Sequence, residues 1–118
     1  MGDAPWTNPA EKTKHIKKHG KGIKDYEGEL NAVYNFIYEN HWQGGQKEIN
    51  GRWFTITCVP RFDGAYEYAI SIHGGSSDRT LVLDRNWKVI TYCRRDKPED
   101  VTYAQGNTGG ASSSTQYQ

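Results

Sequence analysis

The chain is short of the residues that most often announce a function. With two cysteines in 118 residues, it cannot build a disulfide-rich framework. Cys58 and Cys93 both sit inside apolar runs, which suits buried thiols as well as a bridge, so the redox compartment stays open. No apolar run approaches the ~20 residues that a membrane-crossing helix needs. The first residues also lack the charged-then-apolar pattern of a signal segment, so neither a span nor a cleaved leader is expected. There is no phosphate-loop pattern, dinucleotide glycine fingerprint or nucleophile elbow, which argues against nucleotide-driven chemistry and serine hydrolysis.

Charge of one sign is scarce over the whole chain but not locally. Residues 11–24 (EKTKHIKKHGKGIK) hold six lysines and one glutamate. That is +5 against a whole-chain +1, which leaves −4 for the rest. A basic stripe on a near-neutral body points to a phosphate-bearing partner, although a solvated helix face has the same composition. At the other end, residues 104–118 carry no charge and a single aromatic. Such a segment cannot bury enough apolar surface to offset its ordering entropy. The sequence therefore predicts one domain over residues 1–103 and a disordered polar tail over 104–118. Four Trp, eight Tyr and three Phe must carry much of the burial in so small a core. Trp6, Trp42, Trp53 and Trp87 read as packing residues, with Trp87 in a turn open to solvent.

Asn8 can cap a helix that starts at Pro9, Glu11 stands where a capping box wants an acid, and Gly20 can close it left-handed. A helix over 9–19 follows. Leu30, Val33, Tyr34, Ile37 and Tyr38 then recur at three- and four-residue spacing, which predicts an amphipathic helix over 26–42. After residue 50 the period falls to two, with β-branched and aromatic residues over 52–59, 65–72, 80–84 and 89–94. The short connections favour an antiparallel meander. The expected class is α+β, with two N-terminal helices packed on a four-stranded antiparallel sheet.

His15 and His19 stand four apart and Lys18 three after His15, so the three share one helix face. Imidazole titrates near neutrality and can move a proton beside phosphate-binding ammonium groups at Lys14, Lys17, Lys18 and Lys21. The structural alternative is that Lys17, Lys18 and His19 complement the negative helix end. His19, next to Gly20, is expected to pack little. Two histidines one turn apart can also share zinc, but a third ligand from His41, His73, Cys58 or Cys93 would be needed and the lysines oppose a dication. No metal or cofactor is expected. In the last strand, Thr91 and Tyr92 carry hydroxyls and Arg94 or Arg95 can grip a phosphate. Strand alternation puts Thr91 and Tyr92 on opposite faces, so at most one serves a given site.

The order Lys-His-Ile-Lys-Lys-His-Gly-Lys at 14–21, an amphipathic helix, and a sheet whose last strand reads Val-Ile-Thr-Tyr at 89–92 resembles the ribonuclease toxins of bacterial competition systems. These form the barnase, EndoU, colicin and RelE-like (BECR) group, and the likeness is to the colicin D type. The resemblance spans residues 8–95. It implies cleavage of RNA, often transfer RNA, without a metal, neutralisation by a cognate immunity protein, and delivery into the cytoplasm of a target bacterium. It also implies His15, Lys18 and His19 as the basic helix motif and Thr91 with Tyr92 as the hydroxyl-bearing strand. The corresponding mechanism has His15 and His19 sharing acid and base duty, Lys18 and Arg94 stabilising charge, and Thr91 or Tyr92 orienting the phosphate. The rival is a module that binds nucleic acid or an acidic protein through its lysines and does no chemistry.

Overall fold

The computed structural model describes residues 2–74 and 78–95. The last part of the expected domain and the tail over 104–118 lie outside them. The first helix, α1 (Pro9–His19), begins as the sequence predicts. Asn8 is extended, and its side chain accepts from the N–H of Ala10 at 3.0 Å. Its other end differs. Gly20 is right-handed (φ −63°) and the chain tightens into a 3-10 turn over Gly20–Gly22. The left-handed residue is Asp25 (φ 55°), whose carboxylate caps the next helix by accepting from the N–H of Gly28. The Arg94 side chain lies against Gly22 in this turn, so a Cβ there would make the guanidinium shift.

The second helix, α2 (Tyr26–Glu39), buries Tyr26, Leu30, Val33, Tyr34 and Ile37 along one stripe. It stops three residues before the predicted end because His41 (φ 57°) and Trp42 (φ 63°) turn left-handed. That turn is fixed by Trp42 N–H donating to Ile37 O at 2.7 Å and by the Asn40 amide donating to Gly44 O at 2.9 Å.

Five strands follow rather than four: β1 (Gly45–Ile49), β2 (Arg52–Val59), β3 (Tyr66–Ile72), β4 (Arg79–Leu83) and β5 (Val89–Arg94). They pair antiparallel in the order β1-β2-β3-β4-β5. β1 has no apolar alternation to announce it, since only Ile49 of its residues is buried. Its pairing depends on Asn50 (φ 52°) and Gly51 (φ 80°), the left-handed pair that a tight two-residue hairpin requires. The first residues add to the other edge, where Val89 N–H donates to Pro5 O (2.7 Å) and Thr7 N–H to Val89 O (2.8 Å).

The helices cover one face of the sheet, where Phe54, Ile56, Tyr68, Ile70, Leu81, Leu83 and Tyr92 meet the α2 stripe in one core. Trp87, in the turn before β5, is half-buried and packs against the core. Its ring stacks on Tyr66 (3.7 Å) and on Trp42 (4.0 Å). Tyr34 and Tyr68 hydroxyls hold the carbonyls of Trp87 and Trp42 at 2.6 and 2.7 Å, which offsets the cost of two bulky residues at positive φ.

Inside this core lies a buried ion pair. Arg79 donates through Nε to Glu29 Oε2 at 2.8 Å and through Nη2 to Oε1 at 3.4 Å. The Tyr92 hydroxyl donates to the same Glu29 oxygen, and the Tyr26 hydroxyl donates to the Tyr92 carbonyl. Burial first, and then the Glu29 charge, push the Tyr92 hydroxyl well above its usual pKa, so it stays a donor. Removing one partner of such a pair typically costs about 3–5 kcal/mol, whereas replacing both with apolar residues is often near neutral. Urea unfolding should therefore show Glu29→Leu and Arg79→Leu each losing about that much, and the double variant recovering most of it.

Asp84 ties the N-terminal segment to the β4–β5 turn. Burial alone would raise its pKa, but the Thr7 hydroxyl and the N–H groups of Lys88 and Asn86 donate to the carboxylate and hold it below the usual range. A pKa depressed by folding contributes stability that is present above the unfolded value, ~3.9, and is lost as pH falls through the folded one. Acid titration of stability should accordingly show a step in the native chain that Asp84→Asn lacks.

Candidate functional site

The basic face of α1 is held by its underside. Trp6, fixed by the bridge to Val89, puts its ring 5.1 Å from that of His15, and the His15 and His19 rings are 5.7 Å apart. His15 Nδ1 lies 2.9 Å from the Glu11 carbonyl oxygen. A carbonyl only accepts, so Nδ1 carries the hydrogen and, in the neutral ring, Nε2 carries the lone pair. The ring that can take a proton is thus oriented by backbone one turn earlier. The His15 side chain is 14% exposed.

His19 differs from its expectation. It is 4% exposed and belongs to the buried set, at the point where α1 passes into the 3-10 turn. Removing its ring costs packing as well as any chemistry. Lys14, Lys17, Lys18 and Lys21 are all exposed. Lys14 pairs with Glu11, at 3.4 Å, a solvent-screened contact worth little. Lys12 faces another way and ties α1 to α2 through Glu27.

Arg94 reaches this end of the molecule. Its guanidinium lies against Gly22, in the turn that follows α1 and next in sequence to Lys21. Register explains the direction: Arg94 is opposite Arg79, on the face of the sheet that the helices cover.

The two strand hydroxyls do not join the group. Tyr92 is fully buried with its hydroxyl on Glu29. Thr91 is on the face away from the helices, 2% exposed, and its hydroxyl has no partner among the described residues. His15, His19, Lys18 and Arg94 are therefore gathered at one end, and Thr91 and Tyr92 are not. The sequence carries no signal for Trp6 or Gly22, whose roles arise only when the N-terminal segment and the 3-10 turn meet the last strand.

The remaining candidates are scattered. His41 follows α2 and is exposed, while His73 lies at the end of β3, its Nε2 3.2 Å from the Thr55 hydroxyl. Among the described residues no three His, Cys, Asp or Glu side chains are grouped to hold a metal ion. Cys93 is opposite Thr80, Thr80 opposite Ala69, and Ala69 opposite Thr57, the neighbour of Cys58. Three strand steps of ~4.8 Å put the cysteines well beyond disulfide reach, and neither forms a disulfide. No described helix is long and apolar enough to cross a membrane. Comparison of the chain with protein-family models, with curated proteins and with solved structures found no match.

Proposed function

We propose that this chain is a metal-independent endoribonuclease module of the toxin type. The observation that carries the reading is the His15–His19 pair, rings 5.7 Å apart, at the end of a helix that, with the turn after it, presents four exposed lysines. RNA supplies its own nucleophile. One imidazole removes the proton of the ribose 2′-hydroxyl as that oxygen attacks the adjacent phosphorus, and the other protonates the departing 5′-oxygen. The products are a 2′,3′-cyclic phosphate and a 5′-hydroxyl. His15, with its oriented Nε2 lone pair and greater exposure, is the base in this scheme and His19 the acid. Lys18 and Arg94 balance the charge that builds on phosphorus, while Lys14, Lys17 and Lys21 hold flanking phosphates. Within the same proposal the substrate class is RNA such as transfer RNA, the place of action is the cytoplasm of a target bacterium, and the protein partner is an immunity protein that covers the lysine face.

A specific observation favours the rival, a binding module without chemistry. His19 is buried and His15 spends one nitrogen on backbone, which is also how packing histidines behave. The two readings separate on turnover.

Purified protein incubated with total RNA in EDTA should cleave it and leave 2′,3′-cyclic ends. Loss of cleavage that zinc or magnesium restores contradicts the mechanism. Because His19 is buried, His15→Ala is the cleaner test. Losing a general base typically costs about 10²- to 10⁴-fold in rate, so cleavage should drop at least a hundredfold while RNA affinity and its salt dependence hold. Wild-type cleavage by a folded His15→Ala would leave the binding module as the better account.

A further inference from the structure

The face of the sheet away from the helices carries a second polar cluster that the histidine end does not use. In the register, Glu67 is opposite Val82 and Val82 opposite Thr91, while Thr80 is opposite Cys93. Glu67, Thr80 and Thr91 therefore share that face, joined by Arg95 two residues after Cys93. Three of these are buried: Thr80 fully, Thr91 at 2% exposure and Glu67 at 5%.

Half of the cluster is closed. Arg61, from the β2–β3 connection, donates to both carboxylate oxygens of Asp63 and, at 3.2 Å, to Glu67 Oε1. The other half is open. Glu67 Oε2 makes no hydrogen bond among the described residues, and Arg95 Nη2 stands off from it at 3.8 Å. Arg95 is steadied by Nη1 donating to Thr80 Oγ1 at 2.9 Å, and its side chain is 41% exposed. Thr80 spends a lone pair on that bond and keeps its hydrogen to donate. Thr91 Oγ1, buried on the same face, has no partner among the described residues. Two buried hydroxyl hydrogens and one buried carboxylate oxygen are thus left without a hydrogen bond beside the exposed Arg95 guanidinium, and buried groups are costly to leave unfilled.

We propose that this half-open cluster binds a protonated phosphate, either inorganic phosphate or a phosphate monoester. Arg95 Nη2 and the Thr80 and Thr91 hydroxyls donate to phosphoryl oxygens, and Glu67 Oε2 accepts the P–OH. Thr80 is the diagonal neighbour of both Glu67 and Thr91, at the ~7 Å residue spacing of adjacent strands, which brings the three side chains within reach of one tetrahedral anion. Glu67 sets the selectivity. A sulfate or a phosphodiester offers only lone pairs to a carboxylate that already carries a negative charge, whereas a phosphate whose second pKa is about 6 keeps a proton to share near neutrality. The site therefore rejects the internal phosphodiesters of an RNA chain, and it stands whether or not the α1 end cleaves RNA. Exposed Arg95 marks the side from which the ligand enters.

Amide NMR titration of the whole chain at about pH 6.5, where both protonation states of phosphate are populated, tests this at matched ionic strength. Inorganic phosphate and methyl phosphate should shift the Thr80, Thr91 and Arg95 amides saturably, while sulfate and dimethyl phosphate bind at least about tenfold more weakly. Tighter binding of methyl phosphate identifies an esterified ligand, and tighter binding of inorganic phosphate a free one. Arg95→Gln, an exposed position, should abolish the response. Thr91→Val should abolish it too and melt no lower than the parent, since the variant removes a buried hydroxyl that had no partner. Sulfate matching phosphate, or phosphate binding that survives Arg95→Gln, overturns the proposal.

Discussion

The buried Glu29–Arg79 pair is the interaction on which the arrangement of this molecule rests. It is the place where α2, which supplies most of the helical core, is joined to β4, the strand buried along its whole length. Tyr92 reports to the same carboxylate and Tyr26 to the Tyr92 backbone, so α2 and the last two strands are locked in one register. A second consequence is electrostatic. Arg79 and Arg94 are cross-strand partners on one face, and two guanidiniums left side by side at ~5 Å would repel by ~3 kcal/mol at an effective dielectric of ~20. Arg79 is drawn under α2 and neutralised by Glu29, while Arg94 lies against Gly22, in the turn after α1.

β5 then serves both faces of the sheet with opposite results. Arg94 adds to the basic end beside His15 and His19, and Arg95, one residue on, is steadied by Thr80 over the helix-free face. The alternation of a single strand separates two cationic groups into two environments. One is a row of exposed lysines beside an imidazole pair, suited to a polyanion. The other is a cluster of buried hydroxyls beside a carboxylate, where we place a small ligand that brings its own proton.

Much of this was legible in the sequence where local physics decides. Asn8 and Pro9 start α1, the stripe from Leu30 to Ile37 buries α2, and two-residue alternation marks four of the strands. What was not legible depends on distant partners. β1 has almost no apolar signal and exists because Asn50-Gly51 turns it onto β2. Gly20 looked like a left-handed stop, yet α1 runs into a 3-10 turn over Gly20–Gly22 and the left-handed residue is Asp25, the cap of α2. The helix motif of His15, Lys18 and His19 could be read from spacing, but His19's burial and the Trp6 ring against His15 occur at a 3-10 turn and an N-terminal segment that no periodicity announces. Thr91 and Tyr92 were expected on opposite faces and are, and neither faces the histidine pair.

The central claim is that two imidazoles at the end of α1 exchange protons with RNA. Its most direct test is the pH dependence of single-turnover RNA cleavage. Two imidazoles, one needed neutral and one needed charged, predict a bell-shaped profile, with His15→Ala flattening the acid limb, where the base must lose its proton. A profile without a bell across the range in which histidine titrates, or one whose acid limb persists unchanged in His15→Ala, would contradict the account.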